Sequence, residues 1–96
     1  MHAVIKILQE NLPALKAKYQ LQSLGLFGSY SRSEQKPDSD LDIFYETIPG
    51  TFLTLHNYLD LQKELSSLTH LQIDLVNKKY MNEAVWLTAK KDVIYV

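Results

Sequence analysis

The stretch Asp40-Leu41-Asp42-Ile43-Phe44-Tyr45 constrains the fold more than any other part of the chain. Charged and apolar side chains alternate there with a period of two, the repeat of a β-strand whose two faces meet different surroundings. Leu41, Ile43 and Tyr45 are expected on one face, with Asp40, Asp42 and Phe44 on the other. A second alternation sets Leu71, Ile73 and Leu75 against Gln72, Asp74 and Val76, and predicts another strand over His70 to Val76.

Other segments carry the helical period. Val4, Ile5, Leu8, Leu12, Leu15 and Tyr19 recur at helical spacing, and Pro13 predicts a kink or a division into two short helices. Gln20 to Gly28 reads as a strand, Ser29 to Gln35 as a short helix, and Lys36-Pro37-Asp38-Ser39 as a turn. After Pro49-Gly50 a long helix is expected, with an apolar stripe of Phe52, Leu55, Leu59 and Leu65 joined by Tyr58 and Leu68. Asn82 to Lys90 predicts a last helix around Ala84, Val85 and Leu87, and Val93-Ile94-Tyr95-Val96 a terminal strand or partner-facing tail. The order α-β-α-β-α-β-α is that of one α/β layer structure, a single domain over residues 1–96.

Composition narrows the function. The net charge is −1, whereas a duplex-gripping protein usually carries a clear basic excess, so direct nucleic-acid binding is disfavoured. There is no cysteine, which excludes disulfides and thiolate metal sites and suits a cytoplasmic protein. Neither a secretory leader nor a membrane span is expected, because no run approaches the roughly 20 apolar residues a span needs.

Asp40 and Asp42, two apart on a strand, send both carboxylates from the same face, with Cα atoms about 7 Å apart. Such a pair repels itself, and a hard divalent cation such as Mg²⁺ relieves the repulsion while keeping positions for water and phosphate. In isolation the pair reads equally well as the solvated side of a strand, and Asp74 alone favours that reading. What precedes them shifts the balance. Leu26-Phe27-Gly28-Ser29-Tyr30-Ser31-Arg32 is a strand ending in Gly-Ser and running into a helix. Gly28 lets the backbone approach a ligand, Ser29 adds a hydroxyl, and a helix amino terminus offers free N–H groups to phosphate. Arg32 alone is more often a surface or ion-pairing residue than a phosphate ligand. A phosphate cradle followed by three carboxylates is what phosphoryl transfer needs: charge neutralisation and in-line positioning.

Gly28-Ser29-Tyr30-Ser31-Arg32, Ser39-Asp40-Leu41-Asp42-Ile43 and Ile73-Asp74-Leu75 together resemble the signature of the DNA polymerase β-like nucleotidyltransferase superfamily. The short chain resembles its minimal branch, the MNT domains. The resemblance implies a small mixed β-sheet backed by helices, an α+β arrangement. It also implies two Mg²⁺ ions about 3.5–4 Å apart, bridging the carboxylates and an ATP triphosphate. Carried onto this chain, Gly28, Ser29 and Arg32 form the nucleotide-binding set. Asp40, Asp42 and Asp74 hold metal, and Asp74 favours deprotonation of the acceptor hydroxyl. Many MNT proteins resemble antitoxins that neutralise a HEPN-domain RNase, by adenylylating a tyrosine or by binding it. Serine stands at position 33 where the family commonly has glycine, which puts the local phosphate-loop geometry in question.

His2, His56 and His70 lack metal-ligand spacing, and His56 reads as a surface residue of the long helix. Lys78-Lys79 and Lys90-Lys91 read as solvated ends, and Trp86 as core or sheet edge. The expectation is a Mg²⁺-dependent antitoxin that transfers AMP from ATP to a tyrosine of a HEPN RNase toxin. A binding-only antitoxin is the alternative. A small-molecule nucleotidyltransferase ranks last, since this chain has no additional helical domain to hold the acceptor.

Overall fold

The computed structural model describes residues 2–28 and 40–96. In chain order the elements are α1 (His2–Tyr19), β1 (Leu21–Phe27), β2 (Leu41–Thr47), α2 (Leu55–Thr69), β3 (Ile73–Asn77), a 3₁₀ turn (Lys78–Tyr80), α3 (Glu83–Ala89) and β4 (Ile94–Tyr95). The strands form one mixed sheet in the order β3-β2-β1-β4. β1 runs antiparallel to both β2 and β4, whereas β2 and β3 are parallel and joined by the α2 crossover. The arrangement is an α+β fold, a small mixed sheet with helices packed against it. The short helix expected over Ser29 to Gln35 lies outside the described residues.

The alternation in β2 is realised. Leu41, Ile43 and Tyr45 are buried, as are Ile73 and Leu75 of β3 and Leu24 and Leu26 of β1. Leu8, Leu15 and Tyr19 of α1 and Leu61 and Leu65 of α2 complete this core. Pro13 does not divide α1 into two helices: the span from His2 to Tyr19 is a single helix with Pro13 inside it. Proline removes one backbone donor, but α1 buries Leu8 before it and Leu15 and Tyr19 after it, and that packing outweighs the lost bond.

The stripe of α2 differs from the expected one. Phe52 precedes the helix, and Phe52, Leu55 and Leu59 are exposed. The buried side carries Leu61 and Leu65, flanked by partly buried Tyr58 and Leu68. Thr54 caps the helix by accepting from the Asn57 N–H at 3.1 Å. His70 ends α2 in the left-handed conformation (φ 59°), so β3 begins at Ile73 rather than at His70.

The second face of the sheet is not simply solvated. Phe44 is fully buried there, with the Trp86 ring centroid at 5.6 Å and that of Tyr95 at 5.3 Å, both edge-on. A Cβ on Gly25, the partner of Phe44 across β1 and β2, would sit 2.3 Å from the phenyl ring, so only glycine fits. α3 and β4 thus cover the β1 side of this face. Around Ala84, Val85 and Leu87, which were expected to anchor α3, the helix is exposed, and Trp86 makes the packing contact.

Candidate active site

The parallel register of β2 and β3 sets Asp42 directly beside Asp74. Neighbouring strands lie about 4.8 Å apart, so two carboxylates that are distant in sequence leave one face at adjacent positions. Asp42 is half-buried and Asp74 exposed. Across the other edge of β2, Asp42 pairs with Phe27, the last residue of β1.

Gly28 follows Phe27 and turns the chain with φ +73°. A Cβ at this position would lie 2.1 Å from Asp42 Oδ2, far inside contact distance. The backbone at Gly28 therefore passes against the Asp42 carboxylate, and glycine is required both by the dihedral and by the close approach. Beside Gly28 a hollow of about 640 Å³ opens between β1 and α3, lined among others by Phe27, Val85, Thr88 and Asp92.

Asp40 stands apart from this pair. It is exposed just before β2 and lines a groove with His56, Asp60, Lys63 and Gln72, on the side of α2. Among the described residues no three His, Asp or Glu side chains are gathered closely enough to hold one ion. The sequence-expected trio is thus brought together as Asp42 with Asp74, with Asp40 at the margin. Ser29 and Arg32, the rest of the nucleotide-binding set, and Ser33 lie outside the described residues. An all-oxygen donor pair of acidic side chains, with a glycine where a Cβ would displace one of them, fits a hard divalent cation such as Mg²⁺.

Two groups beside the site, and one at the other end of β3, were not expected from the sequence. Tyr58 Oη donates to the Leu75 carbonyl, and Gln62 Nε2 donates to the Ile73 carbonyl at 2.8 Å, so the two bonds flank Asp74 along β3. Burial, and after it the negative charge of Asp74, push the Tyr58 phenol above its usual range. Their signal was the polar i, i+4 spacing of Tyr58 and Gln62 on a helix whose stripe was assigned one face too far round. Lys78 is not a solvated end: its ammonium lies 3.6 Å from Glu46 and 4.3 Å from the centre of the Trp86 ring. His56 is a surface residue as expected, paired with Asp60 at 3.2 Å.

Paired carboxylates at the starts of neighbouring strands, beside a glycine turn, have the chemistry that phosphoryl transfer calls for. Residues 6–96 match the nucleotidyltransferase domain, and the chain belongs to that family and is an enzyme of the nucleotidyltransferase class. It is 33% identical over 98 residues to the protein adenylyltransferase MntA of Thermococcus cleftensis, covering 100% of this chain and 95% of that one. Among solved structures it resembles a toxin-antitoxin complex with AMP-PNP (TM-score 0.63, 28% identity, 92% of this chain and 67% of the other). A complex of the tri-AMPylated HEPN toxin of Shewanella oneidensis with MNT antitoxin is also similar, with a TM-score of 0.58 and 25% identity over 96% of this chain and 64% of that one. No helix among the described residues is long and apolar enough to cross a membrane.

Proposed function

We propose that this protein is a cytoplasmic antitoxin that, with Mg²⁺, transfers AMP from ATP to a tyrosine hydroxyl of a HEPN-domain RNase and so inactivates it. The observation that carries the reading is the register pairing of Asp42 with Asp74 beside Gly28. The likeness to MntA and to a complex holding an AMPylated HEPN toxin supports the acceptor class.

In the proposed reaction the tyrosine oxygen attacks the α-phosphorus, the bond from that phosphorus to the β-phosphate bridge breaks, and pyrophosphate leaves. The hydroxyl proton departs toward Asp74, the exposed carboxylate of the pair. Asp42 and Asp74, with Asp40 at the margin, would hold Mg²⁺, which when bound neutralises charge on the triphosphate. Gly28 keeps the backbone low enough for phosphate to approach, and Ser29 and Arg32 supply donors to it. The partner supplies the nucleophile, and a bulky anionic adenylyl group beside an RNase site repels the RNA backbone.

A second reading, neutralisation by occlusion alone, is favoured by the exposed apolar side chains of Phe52, Leu55 and Tyr80. One experiment separates the two. The partner toxin is co-expressed with wild type and with Asp40→Asn/Asp42→Asn, and its mass and RNase activity are measured. Transfer predicts a partner heavier by adenylyl units and silent only with wild type. Equal neutralisation by the double variant, with no mass change, leaves occlusion.

A further inference from the structure

Among the described residues β3 is an edge strand of the sheet, and it carries Asp74 with a backbone partner strand on one side, β2. A five-residue edge strand opens readily, and a slip of one residue would turn Asp74 to the opposite face. On its free side, however, β3 meets a row of side chains from α2. Tyr58, Gln62 and Ser66 recur every four residues, one helical turn apart, on the same stripe. They donate to the carbonyls of Leu75, Ile73 and Leu71 respectively, which recur every two residues along β3 and the segment leading into it. The Gln62 and Ser66 bonds measure 2.8 and 2.7 Å. The intervening Gln72 carbonyl turns the other way and accepts from the Leu41 N–H of β2 at 2.8 Å. Odd carbonyls are held by the helix and at least one even carbonyl by the neighbouring strand, so the carbonyls of Ile73 and Leu75, one on each side of Asp74, are tied down.

We propose that Tyr58 and Gln62, supported by Ser66, are positioning residues for nucleotidyl transfer: they lock the register of β3 and so hold the Asp74 carboxylate beside Asp42. The inference rests on the transfer reading above for its kinetic consequence, and on hydrogen bonds alone for its structural one. Neither residue touches the reacting atoms. Their effect is to keep the edge strand from breathing, and a shift of about 1 Å in a reacting group can cost up to about a hundredfold in rate. The neutral phenol serves this purpose, since only the protonated form donates.

The test uses Tyr58→Phe and Gln62→Leu, singly and together, with the exposed Ser67→Ala on the same helix as control. Assayed with ATP, Mg²⁺ and the co-purified toxin, the double variant is expected to lose about tenfold or more in kcat while KM for ATP stays within about twofold. Amide exchange at Asp74 and Leu75 should accelerate by a similar factor with α1 unchanged, and Ser66→Thr, which keeps the hydroxyl, should behave as wild type. Unaltered exchange in the double variant overturns the inference, and so does faster exchange with wild-type kcat. Tyr58→Phe alone, a milder change, decides the matter by the same two measurements if the double variant does not fold. Should wild type transfer no AMP, the transfer reading fails, and Mn²⁺ broadening of backbone resonances decides instead. Positioning predicts that Asp42 and Asp74 broaden together in wild type, with Asp74 lost from the pair in the double variant; identical broadening refutes it.

Discussion

Replacing Gly28 by alanine should separate the cost of an unusual backbone conformation from the cost of disturbing the site. The φ of +73° is left-handed, and an L side chain there costs about 1–2 kcal/mol. Gly50 offers the internal comparison, since it has φ +87° and open space around its missing Cβ. Both alanine variants should therefore lose about 1–2 kcal/mol, a fall in Tm of roughly 4–16 °C for a domain of this size. The difference lies in what the new methyl group meets. At Gly28 it would lie 2.1 Å from Asp42 Oδ2 and 3.0 Å from Asp42 Cγ. A carboxylate can rotate away, so the clash adds little to the loss of stability. It moves Asp42 by more than 1 Å, however, and a displacement of that order in a reacting group costs up to about a hundredfold in rate. Gly28→Ala should accordingly lose one to two orders of magnitude in AMP transfer while Gly50→Ala keeps wild-type turnover, measured by mass spectrometry of the partner on variants verified as folded. Equal turnover in the two variants would refute the placement of Asp42 against Gly28.

Three further outcomes are expected. Mg²⁺ or Mn²⁺ should raise the Tm of wild type by mass action, and Asp42→Asn should keep the fold but lose that rise in a thermal-shift titration; a full response in the variant would remove Asp42 from the metal site. Phe44→Ala should destabilise by about 3–5 kcal/mol in denaturant unfolding, because it empties a fully buried site beneath Trp86 and Tyr95; a loss below about 1 kcal/mol would contradict that packing. Burial and Asp74 raise the Tyr58 phenol above 10.0, so the unfolded chain releases this proton at lower pH than the folded one. The stabilisation is whole below pH 10 and declines as pH climbs toward the folded value, and Tyr58→Phe should flatten this alkaline fall in denaturation midpoint.

Local periodicity made much of the molecule legible. The alternation of Leu41, Ile43 and Tyr45 with Asp42 assigns each side chain of β2 to a face, because successive residues of a strand must point opposite ways. Asn82 at the start of α3 was equally readable, as its side chain accepts from the Ala84 N–H at 2.8 Å. The motif order Gly28, Asp40-x-Asp42, Asp74 in the sequence points to phosphoryl transfer. Strand faces and helix caps depend on chain geometry and residue chemistry within a few positions of each other, and the motif order on residue types alone.

Tertiary structure decided the rest, and the reason is that partners far apart in sequence set it. Nothing local says that Asp74 stands opposite Asp42; the parallel register of β3 on β2 does. Nothing local buries Phe44 on the same face as Asp42, since the cover comes from Trp86 and Tyr95 at the far end of the chain. The phase of α2 likewise follows from which side meets the sheet, where Leu61 and Leu65 are buried while Leu55 and Leu59 face outward. That same docking presents Tyr58, Gln62 and Ser66 to the carbonyls of β3. A period tells each residue which face it belongs to, but only packing, which exchanges apolar area and backbone hydrogen bonds between distant segments, selects the neighbour that face will meet.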